Sequence, residues 1–257
     1  MKIVNKLLRN LSLLQQLTSR HINDNSKPLI FLGSNIIMEK YTEVCEEHGI
    51  TVYGIIDKDY YGNTNKICDI PVIDTEESFD DLEKLIYYKE NFNFFCATNW
   101  TPLTDNVSIR NRDKRNRLIN LIKQHGLNCI SIIDTFSTKI TRSITVGQGV
   151  YIDGYVNIEP KASIGDFTNI YSHAHIGHDS LIGKNCVIQR VACLASECTI
   201  EDDVFMGISV KAFKSGAVFG KGSFIHEGIY IRRGTIPNEI VSMNGENMKR
   251  VINYVVD

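Results

Sequence analysis

Residues 164–188 read IGDFTNIYSHAHIGHDSLIGKNCVI, and in this stretch an aliphatic side chain returns at every sixth position: Ile164, Ile170, Ile176, Ile182, Ile188. Followed outward, the series begins at Ile140, Val146, Ile152 and Ile158. It continues through Leu194, Ile200, Met206, Ala212, Val218, Phe224 and Tyr230 to Ile236. Four residues after each member the side chain is small, as at Ala162, Ala174, Ser180, Cys186, Ala192 and then Gly216, Gly222, Gly228 and Gly234; Ile144 is the larger exception. A period of six belongs neither to a helix nor to a half-buried strand, so it reports a higher-order repeat. Each hexapeptide supplies one short strand and a corner. The bulky aliphatic enters a narrow prism, and the small residue sits where no further volume fits. Stacked aliphatics contribute about 1.5–3 kcal/mol each on burial, before chain entropy is subtracted. The predicted architecture is a three-sided parallel β-helix with an 18-residue coil.

The rest of the chain describes an ordinary soluble globular protein. It has 257 residues, 43% hydrophobic, with a formal net charge of −2, enough for one large domain or two modest ones. Nothing basic in the total suggests nucleic acid or a membrane surface as a partner. The seven cysteines include no C-x-x-C and read as reduced, structural thiols of a cytoplasmic protein. No apolar run approaches the length of a membrane span. Residues 1–26 form an N-terminal extension in which Val4, Leu7, Leu8, Leu11, Leu14 and Leu17 share one helical face. That face is predicted to dock on its own domain or on a neighbouring subunit, with membrane-surface contact as the alternative.

Residues 27–135 alternate strand and helix signals. Pro28 to Leu32 reads as a buried strand, followed by Gly33-Ser34-Asn35 and a helix to about His48 with Gly49 as its stop. Thr51 to Ile56 is a second strand, ending at Asp57. Helix-like 76–88, strand-like 93–97, helix-like 107–125 and strand-like 128–133 follow. This order predicts a Rossmann-like α/β domain with a small parallel sheet. Ligands of such sheets lie beyond the carboxyl ends of the strands. The candidate substrate-binding residues are therefore Gly33, Ser34, Asn35 and Asp57, with Thr98 and Asn99 beside them. The G-x-G-x-x-G turn is reduced to Gly33, so a nicotinamide cofactor is the least favoured ligand; a nucleotide-containing ligand and a purely structural role both stay open. The basic run from Arg110 to Arg117 reads as a solvated helix face. The sharper reading has one or two arginines reaching a phosphate.

In residues 136–257 one hexapeptide carries chemistry: Ile176-Gly177-His178-Asp179-Ser180-Leu181. With Ile176 facing inward, His178 projects outward near a corner, next to Asp179 and downstream of His173 and His175. Imidazole suits proton transfer near neutral pH, and an adjacent carboxylate fixes its tautomer. A general base, a metal site and a surface histidine are the three readings of these residues. The metal reading is disfavoured because the spacing matches no familiar zinc pattern; none is expected.

The hexapeptide series, Gly54-Ile55-Ile56-Asp57, Asp69-Ile70-Pro71-Val72-Ile73, the His178-Asp179 step and the terminal Gly234-Thr235-Ile236-Pro237-Asn238-Glu239-Ile240-Val241 resemble those of the PglD/NeuD-type sugar acyltransferases. These belong to the hexapeptide-repeat acyltransferase superfamily, and the likeness covers about residues 28–251. The resemblance implies a left-handed coil, a homotrimer, acetyl-CoA between neighbouring solenoids and a sugar nucleotide in the first domain. It also implies direct acyl transfer, with His178 as general base, Asp179 orienting it, and a backbone N–H near Ala195-Ser196 meeting the oxyanion. The function expected is acetyl-CoA-dependent N-acetylation of a nucleotide-linked amino sugar. The alternatives are O-acetylation of a sialic-acid-like sugar and a non-catalytic sugar-nucleotide-binding trimer. Val187 stands where family members often carry a second histidine. His226-Glu227 has the placement of His178 in its own hexapeptide but belongs to a different face.

Overall fold

The computed structural model describes residues 22–35, 37–99, 106–141 and 143–242, with 106–111 described as helical backbone only. The N-terminal helical stripe of Val4 to Leu17 and the tail beyond 242 lie outside the described residues. Two compact units divide near residue 132.

The first unit is an α/β sheet. Its elements are β1 (Leu29–Leu32), α1 (Met38–Glu47), β2 (Val52–Ile56), β3 (Lys66–Ile67), β4 (Ile70–Asp74), α2 (Leu82–Asn91), β5 (Asn93–Cys96) and α3 (Asn106–His125). The sheet order is β3-β4-β2-β1-β5, parallel throughout except for the β3–β4 hairpin. All four residues of β1 and of β5 are buried, as strands covered on both faces must be. Phe31, Tyr41 and Phe95 pack between sheet and α1 with ring centroids 5.2–6.2 Å apart, Phe95 standing edge to face with the other two.

Three local expectations change. The helix predicted over 76–88 is split: Glu76–Asp80 is a 3₁₀ turn, and Asp81 then accepts from the N–H groups of Glu83 and Lys84 to start α2. The strand predicted over 128–133 is broken into single bridges, Cys129 to Phe94 and Ser131 to Ile22, and the two-residue strand Ile132–Ile133. The β3–β4 hairpin has no counterpart in the sequence reading; its two-residue turn holds Cys68 and Asp69 at positive φ, the signature of a type I′ turn.

The second unit is the left-handed parallel β-helix. Two-residue strands stack into three parallel sheets, and the second residue of each strand points inward. Ile152, Ile158, Ile170, Ile176 and Ile188 are all 0% exposed. Three residues after each inward side chain the backbone turns through positive φ, for example at Lys161, Phe167, His173, Asp179 and Asn185. Ile188→Ala should cost about 2–5 kcal/mol, read as a lowered denaturant midpoint. A change below 1 kcal/mol would mean that the coil interior collapses around the loss.

The unbroken sixfold series is corrected near its end. Ile164 pairs with Ile182 and Ile182 with Ile200, each eighteen residues on, but Ile200 pairs with Phe219, nineteen residues on. From there the inward residues are Phe219, Ile225 and Ile231. Val218, Tyr230 and Ile236 are 44–54% exposed, and Phe224 occupies an outward strand position. One extra residue in the corner after Ala212 causes the slip. Gly216, Gly222 and Gly228 accordingly hold the left-handed turn positions. The small slots belong instead to Ala217 and Ser223, which are buried. The sequence hid the slip because large residues occupy both phases of the series.

Candidate active site

The strand His175–Ile176 lies in one sheet between Asn157–Ile158 and Cys193–Leu194. Ile176 anchors it from inside, so Gly177 forms the corner and His178 emerges beyond it. Gly177 has no substitute here: a Cβ would lie 2.5 Å from the Ser196 nitrogen of the next coil. Asp179 takes the left-handed turn at φ 55°, which Asp tolerates better than most residues. The turn brings its Oδ2 to 2.9 Å from His178 Nδ1. A carboxylate accepting from Nδ1–H leaves Nε2 as the imidazole's lone-pair nitrogen. The His178 hydrogen bond, with the Lys161 ammonium 3.6 Å from Oδ1, holds the Asp179 carboxyl below its ordinary pKa.

His178 and Asp179 open onto a recess of about 480 Å³, shared with Asn157, Glu159, Pro160 and Lys161 of the preceding coil and Lys139 and Thr141 of the coil before that. Glu159 Oε2 accepts the backbone N–H of His178 at 3.0 Å. Sequence reasoning missed Glu159 and Lys161. Their signal is the coil offset, since stepping back eighteen residues from Asp179 lands on Lys161.

The other two histidines are engaged separately. His173 stacks on Tyr155 with centroids 5.1 Å apart. Asn157 Nδ2 donates to His175 Nδ1 at 2.8 Å, which turns His175 Nε2 toward Glu159 at 3.8 Å. The local trio is therefore not a convergent cluster. Of the two residues proposed to supply an oxyanion donor, the Ala195 N–H is bonded to the Ala212 carbonyl at 2.8 Å. The Ser196 N–H has no protein acceptor among the described residues. Val187 is fully buried. His226 and Glu227 follow a strand of a different sheet; with the register slipped, it is Glu227 that matches the place of His178. Burial pushes the Cys186 thiol up to about 12, far from a reactive thiolate.

In the first unit, the loops after β1 and β2 come together, and the polar side chains there are hydrogen-bonded within the protein. Asp57 is completely buried, and Ser34 Oγ donates to its Oδ2 at 2.9 Å. Its Oδ1 accepts from Lys114 Nζ at 2.6 Å and from the Asp59 N–H at 3.1 Å. Lys114 also reaches Asp59 Oδ2 at 2.6 Å. Asn35 is turned inward to the Ala97 carbonyl and to Tyr41. Gly33, at φ 73°, lies against the buried Thr98 hydroxyl. The basic run is solvated only in part: Asp113, Asn116 and Arg117 are exposed, whereas Lys114 is mostly buried and Arg115 fully buried, and Arg117 pairs with Glu76 at 3.1 Å. Burial alone would depress the Lys114 ammonium, but its bonds to Asp57 and Asp59 outweigh that and raise its pKa. The same bond holds the Asp59 carboxyl low.

No helix among the described residues is long and apolar enough to cross a membrane. No family model matches the chain. Over 119 residues it is 32% identical to the acyl-[acyl-carrier-protein]–UDP-N-acetylglucosamine O-acyltransferase of Ectopseudomonas mendocina, covering 41% of this chain and 44% of that protein. The chain thus spans less than half the length of the curated relatives it matches. Solved structures extend the likeness across both units. A histidine-to-asparagine mutant of the perosamine N-acetyltransferase of Caulobacter crescentus, in complex with CoA and GDP-perosamine, is similar with a TM-score of 0.69 and 19% identity, over 84% of this chain and 93% of that one. The acetyltransferase domain of PglB from Neisseria gonorrhoeae FA1090 gives a TM-score of 0.69 and 16% identity, over 84% and 96%. A sheet unit followed by a left-handed β-helix is the architecture of this chain, and the likeness to these structures is one of fold.

Proposed function

We propose that this protein is an acetyl-CoA-dependent N-acetyltransferase acting on an amino sugar carried by a nucleotide. The observation that carries the proposal is the 2.9 Å contact between His178 Nδ1 and Asp179 Oδ2 at the mouth of a recess. His178 Nε2 takes a proton from the sugar amine as its nitrogen attacks the thioester carbonyl. The C–N bond forms and the C–S bond then breaks. The departing thiolate recovers the proton from the imidazolium, which Asp179 stabilises without itself being protonated. The Ser196 N–H is the donor offered to the oxyanion; one such donor contributes about 3 kcal/mol. Lys139 and Lys161 add positive charge at the recess. Gly33, Ser34, Asn35 and Asp57 frame the nucleotide-sugar site, in which Asp57 already holds the Ser34 hydroxyl and the Lys114 ammonium. The active assembly is a homotrimer with the donor between neighbouring solenoids.

Mixing the protein with acetyl-CoA and a panel of nucleotide-linked amino sugars should release free thiol, in proportion to an acetylated sugar detected by mass. Thiol release only with hydroxyl sugars would move the assignment to O-acetylation, the chemistry in the name of the curated relative. The buried Val187 favours a non-catalytic trimer; absence of acetyl-CoA binding in calorimetry would establish that reading instead.

A further inference from the structure

The recess beside His178 holds two carboxylates, and their surroundings differ. Asp179 is engaged at both oxygens: Oδ2 faces His178 Nδ1 at 2.9 Å, and Oδ1 lies 3.6 Å from the Lys161 ammonium. Glu159, on the preceding coil, gives Oε2 to the His178 backbone N–H at 3.0 Å. Its Oε1 accepts no hydrogen bond among the described residues, and no lysine or arginine among them pairs with it. The basic atom facing Oε1 is His175 Nε2, at 3.8 Å. Asn157 Nδ2 donates to His175 Nδ1. An imidazole that accepts at Nδ1 is neutral, and here its single N–H faces Glu159 from beyond hydrogen-bonding distance.

The Glu159 side chain is 35% exposed and lines the recess together with His178. A carboxylate has about four lone-pair sites, so this wall offers a spare acceptor oxygen and a negative charge that no lysine pairs with. The charge is felt two coils on at Cys193, whose thiol burial raises, Lys211 lowers and Glu159 raises again. An acceptor that carries phosphates gains nothing from a bare carboxylate unless it also brings a cation. An amino sugar does so. The α-amino group, a comparable amine, titrates at about 8 and is mostly ammonium at neutral pH.

We infer that Glu159 binds the acceptor as its ammonium and sets the nitrogen beside His178, which makes this residue the determinant of amine over hydroxyl acceptors. The inference rests on the acyltransferase reading and adds to it a residue and a charge state. An ammonium carries one proton more than the attacking amine. That proton leaves to water through the open recess, and the freed lone pair attacks the thioester carbonyl. The second proton passes to His178 Nε2 and from there to the departing thiolate, so each amide formed releases one proton to solvent. The groups around Glu159 are His175, His178 and Asp179 of the next coil, Cys193 beyond it, Lys161 of its own corner and Lys139 of the coil before. Of these, the imidazoles gain charge in mild acid, and a charged His175 would compete for Oε1. The preference for amines is therefore greatest between the imidazole and amine ranges.

The test uses the full chain. Glu159→Gln keeps an oxygen for the His178 N–H and removes the charge. For the amino sugar that releases thiol in the panel, KM at neutral pH should rise about tenfold or more, the scale of one hydrogen bond to a charged group, with kcat little changed. The deficit should shrink as pH rises past the amine's own titration, where the wild type loses the ion pair. A glutamate that merely holds the loop would lower kcat at every pH instead. An equal KM in wild type and Glu159→Gln, or a deficit that ignores pH, overturns the inference. Where no sugar of the panel releases thiol, binding decides alone, followed by the His178 ring-proton resonance as aminohexoses and the matching hexoses are added. If the wild type prefers aminohexoses and Glu159→Gln does not, the acyltransferase reading has failed and the ammonium site stands. If both proteins treat the two sugars alike, both readings fall.

Discussion

His178→Ala is expected to reduce acetyl transfer by about a hundred- to ten-thousandfold, the usual worth of a positioned general base. The protein should unfold at an unchanged temperature. The side chain is 47% exposed, and among the described residues its ring is held by Asp179 alone. Nothing in the coil interior depends on it, since Ile176 and Ile182 on either side fill the prism. Acetyl-CoA affinity should also survive, so the loss appears in kcat. Asp179→Asn separates orientation from charge: asparagine accepts the left-handed turn but cannot stabilise an imidazolium, and its turnover should fall between wild type and His178→Ala. Full turnover in His178→Ala would remove the base from this position.

The largest stability effect is expected at Lys114. Replacing it with methionine strands Asp57, which is wholly buried and keeps only the Ser34 hydroxyl and the Asp59 N–H. Removing one member of such a pair costs about 3–5 kcal/mol, and the remaining donors place this case at the lower end. The pH dependence has a definite sign. The Asp59 carboxyl is held low, so its contribution is present above about pH 4, its unfolded value, and is lost as pH falls through the lower folded value. The Lys114 ammonium is held high, so its contribution is full below about pH 10 and fades as pH rises through the folded value. The stability gap between wild type and Lys114→Met should therefore be widest between those limits and narrow in acid, measured by urea unfolding. Lys114→Met combined with Asp57→Leu should recover part of the loss. A single-variant cost under 0.5 kcal/mol would show that Asp57 does not need its cation.

The solenoid was legible because one inward side chain per hexapeptide imposes its period directly on the chain, with Ile152 to Ile188 as its clearest run. The slip after Ala212 was not, because Val218 and Phe219, or Tyr230 and Ile231, are alike in size. Only strand pairing reveals which member faces in. The His178–Asp179 contact follows from adjacency in sequence and the turn between them. Glu159 and Lys161 enter the recess through coil stacking, which a linear reading can recover by counting. The Lys114–Asp57 pair spans 57 residues and has no local signature, so the run from Arg110 to Arg117 was read as solvated when packing had drawn part of it inside.

The extra residue after Ala212 sets a rule for anyone splicing coils between repeat proteins of this kind. A graft whose junction crosses that corner must keep Phe219 as the inward residue nineteen positions after Ile200; with the same sequence placed in an eighteen-residue register, Val218 would turn into the prism and Phe219 out of it. Because side chains in a strand alternate between faces, the error would propagate through every later rung and deliver Tyr230 to the interior in place of Ile231.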